Sequence, residues 1–228
     1  MPAAMLWQTS IDKEQMMFAV IFEVQPKSDR WDQYLGLAKQ LRPELERIDG
    51  FIENVRYSSR RTEGRLLSLS IWADEKAVIR WRTHAMHHGV QEKGRFEVFE
   101  DYHLRVGEIT ADTQTPPGRT LDEQRFDTTD VGAAKVITIL EGSAQALPEA
   151  RQMSSRDGVH DAELYESITE PGNLLLLVSW RDGAAADRWE TPASVRQRRV
   201  RVIRDYGLAD RREAPQFYPD VARGGGRG

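Results

Sequence analysis

The sequence predicts an α+β fold built from two β-α-β-β-α-β units packed sheet against sheet within one chain. Three observations carry this. First, the chain contains itself twice. Asp49-Gly50-Phe51 opens a block that returns from Asp157-Gly158-Val159. At the same spacing Gly64, Leu67, Trp72, Asp74, Arg80, Trp81 and Thr83 match Gly172, Leu175, Trp180, Asp182, Arg188, Trp189 and Thr191. A repeat of this length is a whole module, longer than the ~20–50 residues of a solenoid unit. Second, the apolar period in each copy alternates between two and three-to-four in the order strand, helix, strand, strand, helix, strand. Third, Leu174 to Val178 is apolar on both sides of its strand, so neither side expects water.

The elements follow in order. Phe18 to Val24 puts Phe18, Val20, Phe22 and Val24 on one strand face, with Glu23 between them reading as a solvated charge on an edge strand. Pro26-Lys27-Ser28 breaks the strand, and Ser28 is placed to cap a helix. Trp31, Leu35, Ala38, Leu41, Leu45 and Ile48 then form one apolar stripe. Pro43 is expected to kink this helix or start a second one, and Gly50 to end it. Phe51–Tyr57 and Arg65–Trp72 read as strands around the polar loop Arg60–Gly64. Asp74 can cap the next helix, which buries Ala77, Val78 and Trp81. The helical pattern resumes over His84–Glu92 and near Phe96–Phe99, and Tyr102–Ile109 makes a fourth strand.

In the second copy the strands are expected at about Lys135–Leu140, Val159–Ser167, Asn173–Trp180 and Tyr206–Arg211. Its first helix is shorter by about two turns. Each copy is the ferredoxin-like arrangement. The expected units are residues 15–110, an exposed connector at 111–133, a second copy at 134–213 and a flexible glycine-rich tail at 214–228. Both sheets have a second apolar face, so they are expected to meet as an internal pseudo-dimer with a barrel-like core. A pocket is then expected between sheet and helices or in the barrel mouth.

Composition narrows the function. The net charge of −4 argues against nucleic-acid and anionic-membrane partners, which want a basic surface. With no cysteine, disulfides, thiolate catalysis and cysteine-held metals are excluded. No apolar run approaches the ~20 residues of a membrane span. Asp12, Lys13 and Glu14 do not suit a secretory signal, so a cytoplasmic location is expected. No glycine-rich nucleotide loop follows a strand.

Three constellations carry chemistry. His84, His87, His88 and Gln91 lie at helical spacing, with Arg95 downstream, and copy two has Pro192, Val195 and Arg196 at the three histidine positions. Imidazoles there suit acid/base work or iron ligation, or else a solvated helix face. His84 with His88 is the only good metal pair, and no third ligand is evident. Trp72, Trp81, Trp180 and Trp189 read chiefly as core, otherwise as a stacking wall for a planar ligand. Tyr102 and His103 point to opposite faces of the last strand of copy one. His84, His103 and Tyr102 are the catalytic candidates. Arg56, Tyr57 and Arg65 are positioned for an acidic group, or lie on exposed strand faces.

Ser70-Ile-Trp-Ala-Asp-Glu75 and Ser179-Trp-Arg-Asp182 end the third strands, each with a second tryptophan nine residues after the first. With the Gly-Phe or Gly-Val step opening the second strand, this resembles the antibiotic biosynthesis monooxygenase (ABM) domain of the dimeric α+β barrel superfamily, as a tandem fusion. The resemblance covers about residues 15–110 and, more weakly, 134–212. It implies an oxygen-using enzyme with its active pocket in the first copy. Two versions stay open: one with haem b held through a helix histidine, and a cofactor-free oxygenase of a small aromatic substrate. A non-catalytic binding barrel is the alternative. In haem-degrading members the iron ligand aligns with Gln91, and a tryptophan matching Trp81 packs on the haem. His88 or its neighbour His87 is then the expected iron ligand, with Trp81, Gln91 and Arg95 around the cofactor. The asparagine those members carry near Val20 is absent. A planar or aromatic small molecule is the implied partner, and a further homodimer stays open.

Overall fold

The computed structural model describes residues 17–117, 121, 123–190 and 193–216. The far tail from residue 217, Gly118 of the connector and the matches at Thr191 and Pro192 lie outside them. Eight strands form a closed antiparallel barrel. The first half runs β1 (Phe18–Pro26), α1 (Trp31–Glu46), β2 (Phe51–Ser59), β3 (Leu66–Trp72), α2 (Glu75–Thr83), α3 (Ala85–Lys93) and β4 (Phe99–Asp112). The second runs β5 (Val136–Gly142), α4 (Ala150–Ser154), β6 (Val159–Ser167), β7 (Leu174–Trp180), α5 (Gly183–Asp187) and β8 (Arg196–Gly207). The strand order is β1-β3-β2-β6-β7-β5-β8-β4. Two seams therefore join the halves: β4 to β8 and β2 to β6. Among the described residues no helix is long and apolar enough to cross a membrane.

Period-two alternation builds two layers. On β1, Ala19 and Ile21 point into the barrel, where they join Leu67, Leu69, Ile71, Ile137, Leu175 and Leu177. Phe18, Val20, Phe22 and Val24 point outward under the helices of the first half. The outer face of the second half packs Leu140, Met153, Leu176, Trp180 and Trp189. Trp72 and Trp180 are fully buried, each with its indole N–H donated to a hydroxyl at 2.9 Å, Ser70 and Thr138 respectively. Asp74 and Asp182 cap α2 and α5 by accepting the N–H of Ala77 and Ala185.

Several expectations are corrected. Ser28 opens a short 3₁₀ turn and makes no cap hydrogen bond, and α1 runs through Pro43 to Glu46. Pro43 lies in the last turn of α1 and lacks the N–H that would reach the Lys39 carbonyl, yet the helix continues to Glu46. The last strand is β8 at Arg196–Gly207, not Tyr206–Arg211. Matching Asp205-Tyr206 to Asp101-Tyr102 hid the period-two pattern of Arg198, Val200 and Val202, all buried inward. Val195 and Arg196 thus lie at a strand start and are not helical counterparts of the histidines. Glu23 is buried, because closure leaves β1 no free edge. The connector is tied down in places: Glu108 accepts the amides of Gln124 and Arg125, and Glu213 accepts from Thr129 and Asp130.

Candidate active site

The first half keeps space where the second is filled. A partly open cavity of about 190 Å³ lies between the outer sheet face and α1, α2 and α3. Its apolar walls come from Val20, Phe22, Leu37, Leu41, Leu45, Val78, Leu104 and Val106, with Trp81 and His87 at the helix side. Its floor is polar, formed by Asn54 and Arg56 of β2 and Ser68 and Ser70 of β3. Arg204 and Tyr206 of β8 extend that lining across the seam.

Strand register identifies the equivalent floor in the second half. Asn54 pairs with Ser70 and Arg56 with Ser68; Ala162 pairs with Val178 and Leu164 with Leu176. Four polar positions thus become alanine, leucine, leucine and valine, all packed into the second half's outer core. α4 is also only five residues where α1 has sixteen. Over the second sheet this apolar floor is packed directly beneath Leu147, Met153, Ala186 and Trp189.

The polar groups of the cavity have defined partners. Asn54 donates to the Ser68 hydroxyl at 2.9 Å and to the Leu69 carbonyl at 3.1 Å. The Arg56 guanidinium faces the Tyr34 hydroxyl; burial pushes the Tyr34 phenol up, and Arg56 works against that shift. His87 lies flat on Trp81, with ring centroids 4.1 Å apart and planes 13° apart. Its Nδ1 is 2.9 Å from the Trp81 carbonyl oxygen. A carbonyl only accepts, so Nδ1 carries the proton and Nε2 is the acceptor. Burial lowers His87 to about 4; the Trp81 carbonyl opposes this, and His84 and His88 add to it. The ring is therefore neutral near pH 7. At one end Gln216 donates to the Gln91 side chain and the Arg82 carbonyl, and Pro215 joins the lining.

Of the residues singled out from sequence, Arg56, Trp81, His87 and Gln91 line this cavity. His84 sits between α2 and α3, 3.7 Å from Glu44, and His88 is on the exposed side of α3. Arg95 is buried and donates to the Leu208 carbonyl at 2.8 Å, tying the two halves together. His103 points the other way, into a polar recess at the barrel mouth, where its Nε2 is 2.6 Å from Asp205. Tyr102 borders that recess and accepts from Arg211 at 2.6 Å. The three catalytic candidates therefore do not converge. Tyr57 and Arg65 are not on an exposed face: Tyr57 is inside the barrel and Arg65 is 3.8 Å from buried Glu163. Asn54, Ser68 and Ser70 were missed, although comparing the copies position by position along β2 and β3 finds them.

The site does not fit haem. His88 is outside the cavity, and His87, which lines it, is stacked flat on Trp81. An apolar cavity of ~150 Å³ holds one benzene. About 190 Å³ thus has room for about one ring, but not for a tetrapyrrole. Among the described residues no cluster of His, Asp and Glu is arranged to hold a metal ion.

Comparison with known proteins agrees with this architecture. The family model for antibiotic biosynthesis monooxygenase matches residues 17–93 and 140–197, one segment in each half. A protein of Pyricularia oryzae named jasmonate monooxygenase ABM is 43% identical over 90% of this chain and 100% of its own length. Among solved structures, an aldoxime dehydratase with butyraldoxime aligns over 85% of this chain and 81% of its own, with a TM-score of 0.55 and 11% identity. Another aldoxime dehydratase aligns over 83% and 82%, with a TM-score of 0.52 and 12% identity. At that identity the likeness is one of fold.

Proposed function

The chain belongs to the antibiotic biosynthesis monooxygenase family, and from that premise we propose that it uses O₂ to oxygenate a small, single-ring molecule in the first-half cavity. We read the two halves as tandem copies of one module, of which the first is active and the second is scaffold. One observation carries this: the four floor positions are polar beside the cavity and apolar in the packed second half. Because the 43% identical relative is named a jasmonate monooxygenase, the first substrate to test is a jasmonate, a ring with hydrocarbon and carboxylate arms.

The residues divide the work. Asn54 and Arg56 present the polar floor, and the aliphatic wall excludes water from the ring. Trp81 and His87 make a flat boundary. Neutral His87 offers Nε2 as a hydrogen-bond acceptor without adding positive charge. In a monooxygenation one oxygen atom enters the substrate and the other leaves as water. The electrons come from a substrate CH₂ that becomes a carbonyl, or from an added reductant that accompanies hydroxylation.

The test is incubation of the purified full chain with jasmonic acid under ¹⁸O₂, with and without NADH or ascorbate, read by mass spectrometry. A product carrying one labelled oxygen is expected, and Asn54→Ala should reduce its rate. Absence of labelled product under every condition would overturn the substrate assignment.

A further inference from the structure

Arg56 differs from the arginines inside the barrel. Arg105 is matched by Glu23, and Arg198 by Glu53 and Glu141. Among the described residues Arg56 has no carboxylate partner, whereas a buried Nε without a hydrogen bond is a feature it shares with Arg105 and Arg198. The cavity supplies no spare anion. Glu75 borders it, but is held by Arg125 at 2.6 Å. Arg82 and Arg204 also border it, adding positive charge. A guanidinium facing an apolar space is costly unless something charged completes it. A carboxylate matches its planar fork better than any other small group.

We propose that Arg56, with Tyr34 beside it, is the receptor for a carboxylate on the substrate, so that the enzyme takes small, otherwise apolar carboxylic acids. This rests on the proposed reading of the cavity as the active site and narrows its substrate class. The carboxylate sits on the sheet floor, and the ring and hydrocarbon arm run between the sheet and α1 and α2. Tyr34 lies on the part of α1 that α4 lacks, and the register equivalent of Arg56 is Leu164. The second half therefore has no acid receptor, and one equivalent of acid binds per chain.

The test uses jasmonic acid and its uncharged methyl ester as probes of the full chain, by isothermal titration and by quenching of tryptophan fluorescence. Wild type should bind one equivalent of acid, at least about tenfold more tightly than the ester. Arg56→Gln should weaken the acid by at least about tenfold and leave the ester unchanged. Arg56→Lys, which keeps the charge, should recover part of the preference and covers the case in which Arg56→Gln does not fold. Equal binding of acid and ester by wild type, a preference that survives Arg56→Gln, or no binding of either probe overturns the proposal. The two readings separate cleanly. Arg56-dependent acid binding without oxygenated product sinks the oxygenation and keeps the receptor. Equal turnover of ester and acid does the reverse.

Discussion

Tyr165 of the second half donates its hydroxyl to Glu23 of the first at 2.6 Å inside the barrel. Tyr57 of the first half returns the bond to Glu141 of the second at 2.9 Å. Glu23 also meets Arg105, and Glu141 meets Arg198. Each half thus completes the other's buried ion pair. Burial alone would push Glu23 up, but Arg105, Tyr165 and His103 hold it below the ordinary carboxylate value. Tyr165→Phe should cost about 1–3 kcal/mol by leaving one carboxylate oxygen unsatisfied. Glu23→Leu, which strands Arg105, should cost about 3–5 kcal/mol. Urea unfolding measures both, and equal costs would contradict the arrangement.

His87 makes stability depend on pH. The folded ring stays neutral down to about 4, whereas the unfolded ring takes a proton near ~6.5. Between those values the unfolded state holds more protons, so stability falls as pH falls, by up to ~3 kcal/mol. His87→Phe keeps a flat ring on Trp81 and removes that slope. Urea midpoints at about pH 5 and about pH 7.5 should converge in the variant; an unchanged difference rules the histidine out as the source.

Gly50 and Gly172 both have positive φ, at 88° and 85°, in different surroundings. A Cβ on Gly50 would lie 2.7 Å from that of Ala77, while one on Gly172 meets nothing within 4 Å. Gly172→Ala should cost only the left-handed backbone penalty of ~1–2 kcal/mol. Gly50→Ala should cost about 1–3 kcal/mol more, because α2 must shift. Thermal melts of the two variants decide this, and the reverse order would be a failure.

The polar floor predicts a trade between stability and turnover. Exchanging Asn54, Arg56, Ser68 and Ser70 for the alanine, leucine, leucine and valine of the second half should fill the cavity. Turnover should vanish while the melting temperature holds or rises. Leu176→Ser in the second half should do the opposite, costing about 2–5 kcal/mol with kcat unchanged.

Haem makes a separate check. Stoichiometric hemin should give no Soret band beyond that of free hemin, and His88→Ala should change nothing. A sharp Soret band lost in His87→Ala would mean that the cavity opens far wider than its present walls.

Much of the fold was legible because period and punctuation agree along most of the chain. Val159–Ser167 fell where expected, and Asp74 and Asp182 act as the caps their positions implied. β8 was not legible, because its arginines read as solvated whereas Arg198 is buried against two carboxylates. Glu23 failed for the same reason: its partners Arg105 and Tyr165 are far away in sequence. The site was half legible. Asymmetry between the copies pointed to the half that holds the cavity, but imidazole drew attention to α3. The quieter changes, Asn54 against Ala162 and Ser68 against Leu176, were visible in the same comparison.

The two seams are unequal. β4 and β8 run together from His103 with Gly207 to Asp112 with Arg198, while the β2–β6 ladder covers Tyr57–Ser59 and Tyr165–Ser167, with one further backbone bond on each side, Arg60 to Leu164 and Ile168 to Arg56. The barrel is thus a book with a long spine and a short clasp. The clasp is expected to open before the spine, and the page at that margin is β2, the strand that carries Asn54 and Arg56. Amide exchange should be fastest at the β2–β6 margin, and ligand on the floor should slow it by pinning that page.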